Sequence, residues 1–397
     1  MKITIVFQFL STNKGSFSSR LFELGQHLKK KGFDVTFITS TYYKSDLIKP
    51  KYLYSTTLVN DIKIISLNTS SGNDRMFVLR VFNSILFSII SSLIVLFSNT
   101  KIVLCSSGPI TSGLPVILSK ILKPNIKTAF EIRDLWPHGM IDFGIIKSKI
   151  IKEILFGFEK KIYHCSDKII TLSEGQKNFL NNKYKNYNFY TSSQISDLDL
   201  FDTDFKYEKN KISSYGKYLI YFGGLDKIHN IQYWIDLFSL FNEVEKKEFN
   251  VLFFGEWEFK QKLESISKAN KLINIFFLGS VPKIELVKWI KFSYGTLFST
   301  THHSTQQNCS PNKIFDSFAA GKPIIQTTKG WIKDLVEIEN CGINLSLDDL
   351  SKSRLQLLDF IRNVDKQLVQ SQNSLNLAKN KFDKSIVFDE YINQILK

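Results

Sequence analysis

The feature that most constrains the fold is a repeated alternation of short β-branched apolar runs with longer helical segments. The first run, Lys2–Phe9, is followed by a Ser/Thr/Asn/Gly loop, a helical segment over Phe17–Lys31 and a second run at Phe33–Thr39. Leucines recur at helical spacing in the segment between the two runs. A strand–helix–strand unit of this length predicts a parallel strand pair joined by a right-handed crossover.

Two series of such runs follow one another along the chain. The first series continues with Ile62–Leu67, Lys101–Ser106, Thr128–Ile132 and Lys168–Leu172. The second consists of Tyr218–Phe222, Asn250–Phe254, Ile273–Leu278, Tyr294–Ser299 and Pro323–Thr327. A polar stretch at about 181–215 separates them, and the tail from about Ser351 is typical of helices.

This pattern predicts an α/β chain of two doubly wound domains, over 1–190 and 191–375. A C-terminal helix over 376–397 could pack back on the first domain. In such sheets ligands bind at the carboxyl ends of the strands, so we expect the site in a central cleft between the domains.

The charge composition indicates what kind of molecule the protein binds. The chain has 52 Lys and Arg against 37 Asp and Glu, and this net charge of +15 favours an anionic partner. No RRM, zinc-finger, P-loop or GxGxxG pattern is present, so the charge does not point to nucleic acid. The four cysteines are far apart and form no CxxC pair, which fits a reducing cytoplasm and no zinc site.

The most apolar segment, Phe82–Phe97, is interrupted by serines and Asn83. It falls short of the roughly 20 residues that span a bilayer. A helix of the protein core is the favoured interpretation. The alternative is a helix that also presents an apolar face to lipid, with Arg75, Arg80 and Lys101 beside it to suit anionic headgroups.

The segment Asn308–Gln326, NCSPNKIFDSFAAGKPIIQ, predicts a helix that begins at Pro311 after a Ser310 cap. The free amides and the positive dipole end at such a helix start can hold a phosphate. Lys313 lies in the first turn and adds its charge, and Asp316, one turn on, can accept hydrogen bonds from sugar hydroxyls such as those of a ribose. A capped structural helix with an outward lysine and aspartate is the alternative.

This segment resembles the nucleotide-sugar signature SPxKxFxxxAAGKPxI of GT-B-fold glycosyltransferases of family 4. EIRDLWP, at Glu131–Pro137, resembles a segment typical of the subgroup that adds sugars to bacterial surface polysaccharides, including fucosamine transferase-like enzymes. Val251–Leu278, Ile169–Gly175 and the opening strand–loop–helix are also similar, so the resemblance covers about residues 1–343. It implies the GT-B architecture, two Rossmann-like doubly wound domains that face a central cleft.

The resemblance also implies the site residues. Lys313 and the backbone near Ser310 would hold the donor diphosphate, Asp316 would bind the ribose where the family usually has Glu, and Val281 would lie against the base. Lys313 and Asp316 would act in catalysis together with Asp134. The full predicted donor set is Gly15, Gly223, Gly224, Lys227, Gly255, Glu256, Val281, Asn308, Ser310, Lys313, Ile314 and Asp316.

Besides Asp316, three positions depart from the family pattern, and the family's PNGxD motif is present only as SQISD. Gly224 stands where the family commonly has Arg, His229 where it has Lys, and Asn308 where it has the first Glu of a pair. Lys227 could substitute as a phosphate ligand. These departures leave open a non-catalytic family member that binds a partner or a lipid.

The acceptor-side candidates are Arg133, Asp134 and Trp136. Asp134 follows the strand Thr128–Ile132, so it would lie at a strand's carboxyl end and could orient or deprotonate an acceptor hydroxyl. Arg133 could pair with it or bind an acceptor phosphate, and Trp136 could stack on a sugar ring. A structural Arg–Asp pair with a packing tryptophan is an equal alternative.

Together these features predict a cytoplasmic glycosyltransferase, peripheral on the inner face of the cytoplasmic membrane. It would move a sugar from a nucleotide diphosphate sugar, with a UDP-sugar favoured, to a polyprenyl-diphosphate-linked saccharide in capsule, O-antigen or exopolysaccharide synthesis. The resemblance implies retention at the anomeric carbon, no cofactor and no essential metal. A nucleotide-sugar 2-epimerase of the same fold is the other enzyme considered, and the RDLWP and SPNK segments argue against it.

Overall fold

The chain divides into two compact units. The computed structural model describes residues 1–15, 18–70, 72, 76–202, 212, 214–255 and 260–397. The first unit comprises residues 1–193, 308–310 and 387–397, and the second comprises 194–307 and 311–386. The division after residue 193 falls in the polar stretch that separates the two series of strands.

The first unit is built on one large sheet. Its strands are β1 (Lys2–Val6), β2 (Asp34–Ser40), β3 (Tyr54–Val59), β4 (Ile62–Leu67), β5 (Ile102–Ser106), β6 (Lys127–Ile132), β7 (Lys168–Thr171) and β8 (Phe189–Thr191). They lie in the order β3-β4-β2-β1-β5-β6-β7-β8. All neighbouring pairs are parallel except the hairpin of β3 and β4.

Helices cover this sheet, namely α1 (Arg20–Lys30), α2 (Phe77–Leu96), α3 (Leu114–Leu122), α4 (His138–Asp142), α5 (Lys149–His164) and α6 (Glu174–Lys183). Of these, α2, α3, α5 and α6 share an apolar core with it. Phe87 of α2, Val116 of α3 and Ile162 of α5 belong to one buried cluster with Val103 and Phe130 of the sheet. Helices α2, α3 and α5 are therefore held together by the same core.

The second unit has a six-stranded, fully parallel sheet in the order β11-β10-β9-β12-β13-β14. Its strands are β9 (Tyr218–Phe222), β10 (Asn250–Phe254), β11 (Ile275–Gly279), β12 (Gly295–Phe298), β13 (Ile324–Gln326) and β14 (Gly342–Asn344). The remaining helices are α7 (Leu198–Phe201), α8 (Ile231–Ser239), α9 (Lys260–Ala269), α10 (Lys283–Phe292), α11 (Ser304–Gln307), α12 (Asn312–Ala319), α13 (Trp331–Glu339), α14 (Leu350–Arg362), α15 (Val364–Asn380) and α16 (Lys384–Leu396). From Val387 onward, α16 belongs to the first unit.

The predicted fold class is confirmed, since both sheets are largely or wholly parallel and doubly wound. The predicted buried strands correspond to observed ones, with shifts of at most three residues at their ends. Three strands were not predicted. Two of them, β8 and β14, have only three residues, and β3 alternates exposed with half-buried positions at the sheet edge, so it lacks an apolar run.

Helix α12 corrects one detail of the predicted site. It begins at Asn312 rather than Pro311, and Pro311 occupies the N-cap position, where no side chain caps the helix. The predicted cap by Ser310 is therefore wrong. The backbone amides of the first turn still point out of the helix start.

The helix that includes most of the apolar segment Phe82–Phe97 is longer than predicted. Helix α2 has 20 residues with a mean hydropathy of 2.0 over its most apolar stretch, so it is long and apolar enough to cross a membrane by length and composition. The expectation that it is too short is wrong. One third of that stretch is buried inside the protein, and the buried side chains include four serines besides Phe87 and Val95.

Candidate functional site

A glycine turn follows the central strand β9 of the second unit. Gly223 has a φ of +128°, which suits glycine. The carbonyl oxygen of Gly223 lies 1.9 Å from where a Cβ on Gly255 would stand, so Gly255 also has to be glycine. The carboxyl ends of β9 and β10 are thus brought into direct backbone contact at this edge of the sheet.

Lys313, in the first turn of α12, reaches over this turn. Its side chain is buried, and its Nζ donates a hydrogen bond to the Tyr221 hydroxyl at 3.0 Å. The same Nζ lies 2.8 Å from the position that a Cβ on Gly223 would occupy. The Tyr221 hydroxyl in turn donates to the Gly224 carbonyl at 2.8 Å. Burial raises the pKa of Tyr221, and the charge of Asp226 adds to this, so Tyr221 stays a neutral phenol.

His229 and Asp226 form a pair beside the lysine. His229 Nδ1 lies 2.8 Å from an Asp226 carboxylate oxygen that also accepts the His229 backbone amide at 3.0 Å. Burial raises the pKa of Asp226, but the hydrogen bonds from His229 and the charges of His229 and Lys313 outweigh it, so the pKa lies below its usual value. Burial and then the Lys313 charge lower the pKa of His229, against the opposing effect of Asp226.

The pair occupies the space beside Gly224. A Cβ on Gly224 would stand 2.9 Å from Asp226 Oδ2 and 3.0 Å from the His229 ring. The glycine at position 224 and the histidine at position 229 are therefore structurally connected, since a long side chain at 224 would displace the His229–Asp226 pair.

Asp316, the predicted ribose ligand, already has a cationic partner within the second unit. Its carboxylate is buried and is bonded to the Lys283 ammonium from helix α10. Burial raises the pKa of Asp316, and Lys283 opposes the shift. A ribose at this position would meet an ion pair rather than an isolated carboxylate.

The other predicted donor residues lie in several settings. Lys227 is exposed and lines a cavity of about 240 Å³ together with Asn230 and Gln232. Val281 packs against the core of the second unit, and Ile314 is buried within it. Glu256 lies outside the described residues.

Two predicted donor residues, Asn308 and Ser310, belong to the first unit. The Asn308 carbonyl accepts a hydrogen bond from the Ser173 hydroxyl at 2.8 Å.

Gly15, the predicted donor residue of the first unit, lies in a tightly packed loop. A Cβ at this position would stand 2.0 Å from Ser11 Oγ and 2.9 Å from the Lys44 carbonyl. Asp46 pins the same loop through Ser11 Oγ at 3.0 Å and the Thr12 amide at 2.8 Å. Internal packing is sufficient to require glycine here.

The EIRD segment follows β6 at the carboxyl edge of the first sheet. The Arg133 guanidinium lies 4.7 Å from the centre of the Phe7 ring, and its Nη1 is buried without a hydrogen-bond partner among the described residues. Asp134 is exposed, yet desolvation by the surrounding protein raises its pKa. The positive charge of Arg133 acts in the opposite direction and lowers the pKa of Asp134. Trp136 is half-buried and packs against the core of the unit.

The sequence analysis did not predict the buried ion pair between Arg20 and Glu131, which lies beside this segment. Arg20 of α1 bonds Glu131 of β6 at 2.7 Å, with both side chains almost completely buried. Ser106 donates to the other Glu131 oxygen at 2.8 Å. A glutamate inside a buried strand needs a cationic partner, and this was the signal available in the sequence. Lys283 and Tyr221 gave no such signal.

The two sets of residues can do different chemistry. In the second unit, Lys313 and the α12 helix start offer positive charge to an anion above the glycine turn. In the first unit, Asp134 is a carboxylate with a raised pKa next to an arginine, which suits proton transfer. Among the described residues, no group of three or more His, Cys, Asp or Glu side chains could hold a metal ion.

Part of the second unit matches the model of a known protein family. The model of the family described as glycosyl transferases group 1 matches residues 202–346, which contain the glycine turn, His229 and Lys313. No curated protein matches the chain at a significant level.

Solved structures share the fold over the whole chain. Sucrose-phosphate synthase from Thermosynechococcus elongatus has a TM-score of 0.76 at 12% identity, covering 99% of this chain and 97% of its own. A glycosyltransferase from Rickettsia africae has a TM-score of 0.69 at 16% identity, covering 100% and 98%. Anabaena Alr3699/HepE, solved in complex with UDP and glucose, has a TM-score of 0.68 at 10% identity, covering 100% and 99%. The fold is therefore the GT-B fold of glycosyltransferases.

Proposed function

We propose that this chain is a glycosyltransferase whose second unit binds a nucleotide diphosphate sugar, with a UDP-sugar as the first candidate. The observation that carries the proposal is the position of the Lys313 ammonium, which stands where a side chain on Gly223 would be. A lysine at a helix start above a bare glycine turn is a site for a diphosphate.

Lys313 would act on the departing diphosphate. When the bond between the sugar and the diphosphate breaks, negative charge grows on the leaving oxygens. A fixed ammonium and the α12 dipole are already aimed at that charge and need little reorganisation. We therefore propose that the reaction needs no metal, and the family resemblance supports retention at the anomeric carbon.

The acceptor side would be the EIRD segment. The buried Nη1 of Arg133 has no partner among the described residues, which suits an acceptor phosphate. Asp134 would accept the proton of the attacking hydroxyl. We propose a polyprenyl-diphosphate-linked saccharide as acceptor, on the inner face of the cytoplasmic membrane, because EIRDLWP resembles the segment of the surface-polysaccharide transferases.

The test is slow donor hydrolysis with a panel of UDP-, GDP- and TDP-sugars. We expect turnover of one donor, unchanged by EDTA, and a loss of about a hundredfold or more in Lys313→Ala because one transition-state charge contact is removed. Lys366→Ala is the matched control, since Lys366 is a half-exposed lysine of the same unit that pairs with Asp359 on the surface.

Calorimetry with the same donors separates the alternatives. Donor binding without turnover of any donor would favour the non-catalytic family member. Absence of binding to every donor in the panel would overturn the proposal.

A further inference from the structure

One face of helix α2 carries large apolar side chains that point away from the protein. Val78, Phe82, Ile85, Ile89 and Leu93 are exposed and recur every three or four residues, so they form one stripe, the α2 stripe. Val78 is 78% exposed, Phe82 59% and Leu93 47%. A surface helix of a water-soluble protein normally turns such a stripe toward the core, and α2 has the opposite orientation.

The inner face of α2 combines four serines with Phe87 and Val95. Ser84, Ser88, Ser91 and Ser92 are buried. Ser88 donates to the Ser84 carbonyl at 2.8 Å and Ser92 to the Ser88 carbonyl at 2.7 Å, so these two hydroxyls are satisfied within the helix. The buried Ser91 hydroxyl has no hydrogen-bond partner among the described residues. Small residues let two helices approach closely, and α2 packs along α3. The contacts of α2 with the unit therefore leave the α2 stripe uncovered.

Helix α5 also carries exposed apolar residues. Ile150, Ile151 and Ile154 of α5 and Ile145 just before it are exposed. Helix α3 contacts both α2 and α5, and the three helices share one core. The α2 stripe and these isoleucines thus belong to one helical layer of the first unit. Exposed apolar groups on this scale mark an interaction surface.

The charges around this layer are mostly basic, and Glu153 is the acidic residue that the sequence places among the isoleucines of α5. No Asp or Glu occurs between Asp74 and Glu131 in the sequence. The ionic residues that the structure describes between those two positions are all basic, namely Arg80, Lys101, Lys120, Lys123 and Lys127. Lys147, Lys149 and Lys152 lie beside the isoleucines of α5. A second copy of the chain would bring like charges together, whereas anionic headgroups complement them.

We propose that the α2 stripe and the isoleucines of α5 dock this protein on a bilayer that contains anionic phospholipid. Helix α2 lies in the plane of the interface, with its apolar side in the acyl boundary and the basic residues among the headgroups. It does not span the bilayer, because its serine face, Phe87 and Val95 are packed inside the folded unit. The proposal gives the proposed enzyme a partner surface, but it does not depend on the donor site.

The experiment is co-sedimentation of the full chain with vesicles of phosphatidylcholine alone or with phosphatidylglycerol added. We expect binding to the anionic vesicles, weaker binding to the neutral ones and a decrease at high salt. The triple change Ile85→Ser, Ile89→Ser and Leu93→Ser is expected to lower partitioning by about tenfold or more. The matched control changes Ile338, Leu355 and Leu368 to serine, three exposed apolar residues of the second unit.

Light scattering of the protein without vesicles measures its oligomeric state and so tests whether a second copy of the chain covers the α2 stripe instead. Wild-type protein that ignores anionic vesicles, or that forms dimers which the α2 triple change dissociates, would overturn the proposal. Equal loss in the control triple would also overturn it, because the effect would not be specific to the α2 stripe. The Lys313→Ala variant is expected to bind vesicles normally, so failure of the donor site and failure of the docking surface are distinguishable.

Discussion

His229 is the residue at which this chain departs most informatively from the family pattern. The His229 Nδ1–H donates a hydrogen bond to the ionised Asp226 carboxylate. In the neutral imidazole, Nε2 is then the unprotonated nitrogen that can take up a proton. Burial and Lys313 hold the pKa of His229 below its ordinary value of 6.5. A permanent cation in the family pattern is thus replaced here by a group that can gain a charge.

Donor binding should therefore depend on pH through His229. A bound diphosphate favours the protonated ring, so binding takes up a proton and donor affinity rises as the pH falls below about 6.5. Asp226 stays ionised and Tyr221 stays neutral over this range, because their pKa values are shifted outward. We expect roughly a tenfold gain in affinity between about pH 8 and pH 5.5, measured by calorimetry with a nucleotide sugar.

The glutamine variant His229→Gln isolates this effect. It keeps a polar side chain but cannot be protonated, so its donor affinity should be nearly constant over the same range. His164→Gln, at an exposed position of the first unit, is the control and should keep the wild-type slope. A slope retained by His229→Gln would assign the proton uptake to another group.

Residues of the candidate site differed in how predictable they were. Lys313 and Asp134 could be found because each lies in a local motif, one at a helix start and one after a strand. Lys283 could not, because its partner Asp316 is distant in sequence and only the folded sheet brings the two together. The ion pair at Asp316 is therefore a property of the tertiary structure that no local pattern reports.

At the level of elements, α1 and β6 are joined by the buried pair of Arg20 and Glu131. Burial raises the pKa of Glu131, but the charges of Arg20 and Arg133 outweigh it, so the pKa lies below the usual range. The contribution of the pair to stability is thus present above the unfolded-state pKa of about 4.3 and is lost as the pH falls through the folded-state value.

Removing one partner of this pair should be costly. Glu131→Ala leaves the Arg20 charge buried, so we expect a loss of about 3–5 kcal/mol in the free energy of unfolding of the first unit. The double change Arg20→Met with Glu131→Leu should be less harmful, because the Arg20 charge is removed together with its partner. Urea unfolding followed by circular dichroism measures both, and Glu131→Ala should behave like wild type if the pair is dispensable.

The orientation of α2 marks the limit of prediction at this scale. Large apolar side chains occur on all sides of α2, and four serines recur along one of its faces. Helical periodicity does not decide which side of the helix faces the protein, because apolar residues and serines recur with the same spacing. Burial of the serines is decided by the close approach of α3, and that is a property of the packed layer.

At the scale of the whole molecule, the first unit is completed by both ends of the chain. Its central strand β1 begins at Lys2, and its last segment runs from Val387 to the C-terminal end. Alternating patterns placed the two series of strands, and the sequence allowed a C-terminal helix over 376–397 to pack back on the first domain. Periodicity could not show that this contribution begins at Val387 within α16. That assignment depends on buried contacts between residues separated by hundreds of positions, such as Asp389 and His27.

The first unit should therefore lose stability when the end of α16 is weakened. Tyr391 is fully buried, and the Arg20 guanidinium lies 5.5 Å from the centre of its ring. Tyr391→Ala removes a large buried side chain and should cost about 3–5 kcal/mol, seen as faster native-state hydrogen exchange of the amides of β1 and β5. Asn393→Ala, at an exposed position of the same helix, should leave that exchange unchanged. If Tyr391→Ala left the protection of β1 intact, the C-terminal segment would be an appendage and the first unit would be complete without it.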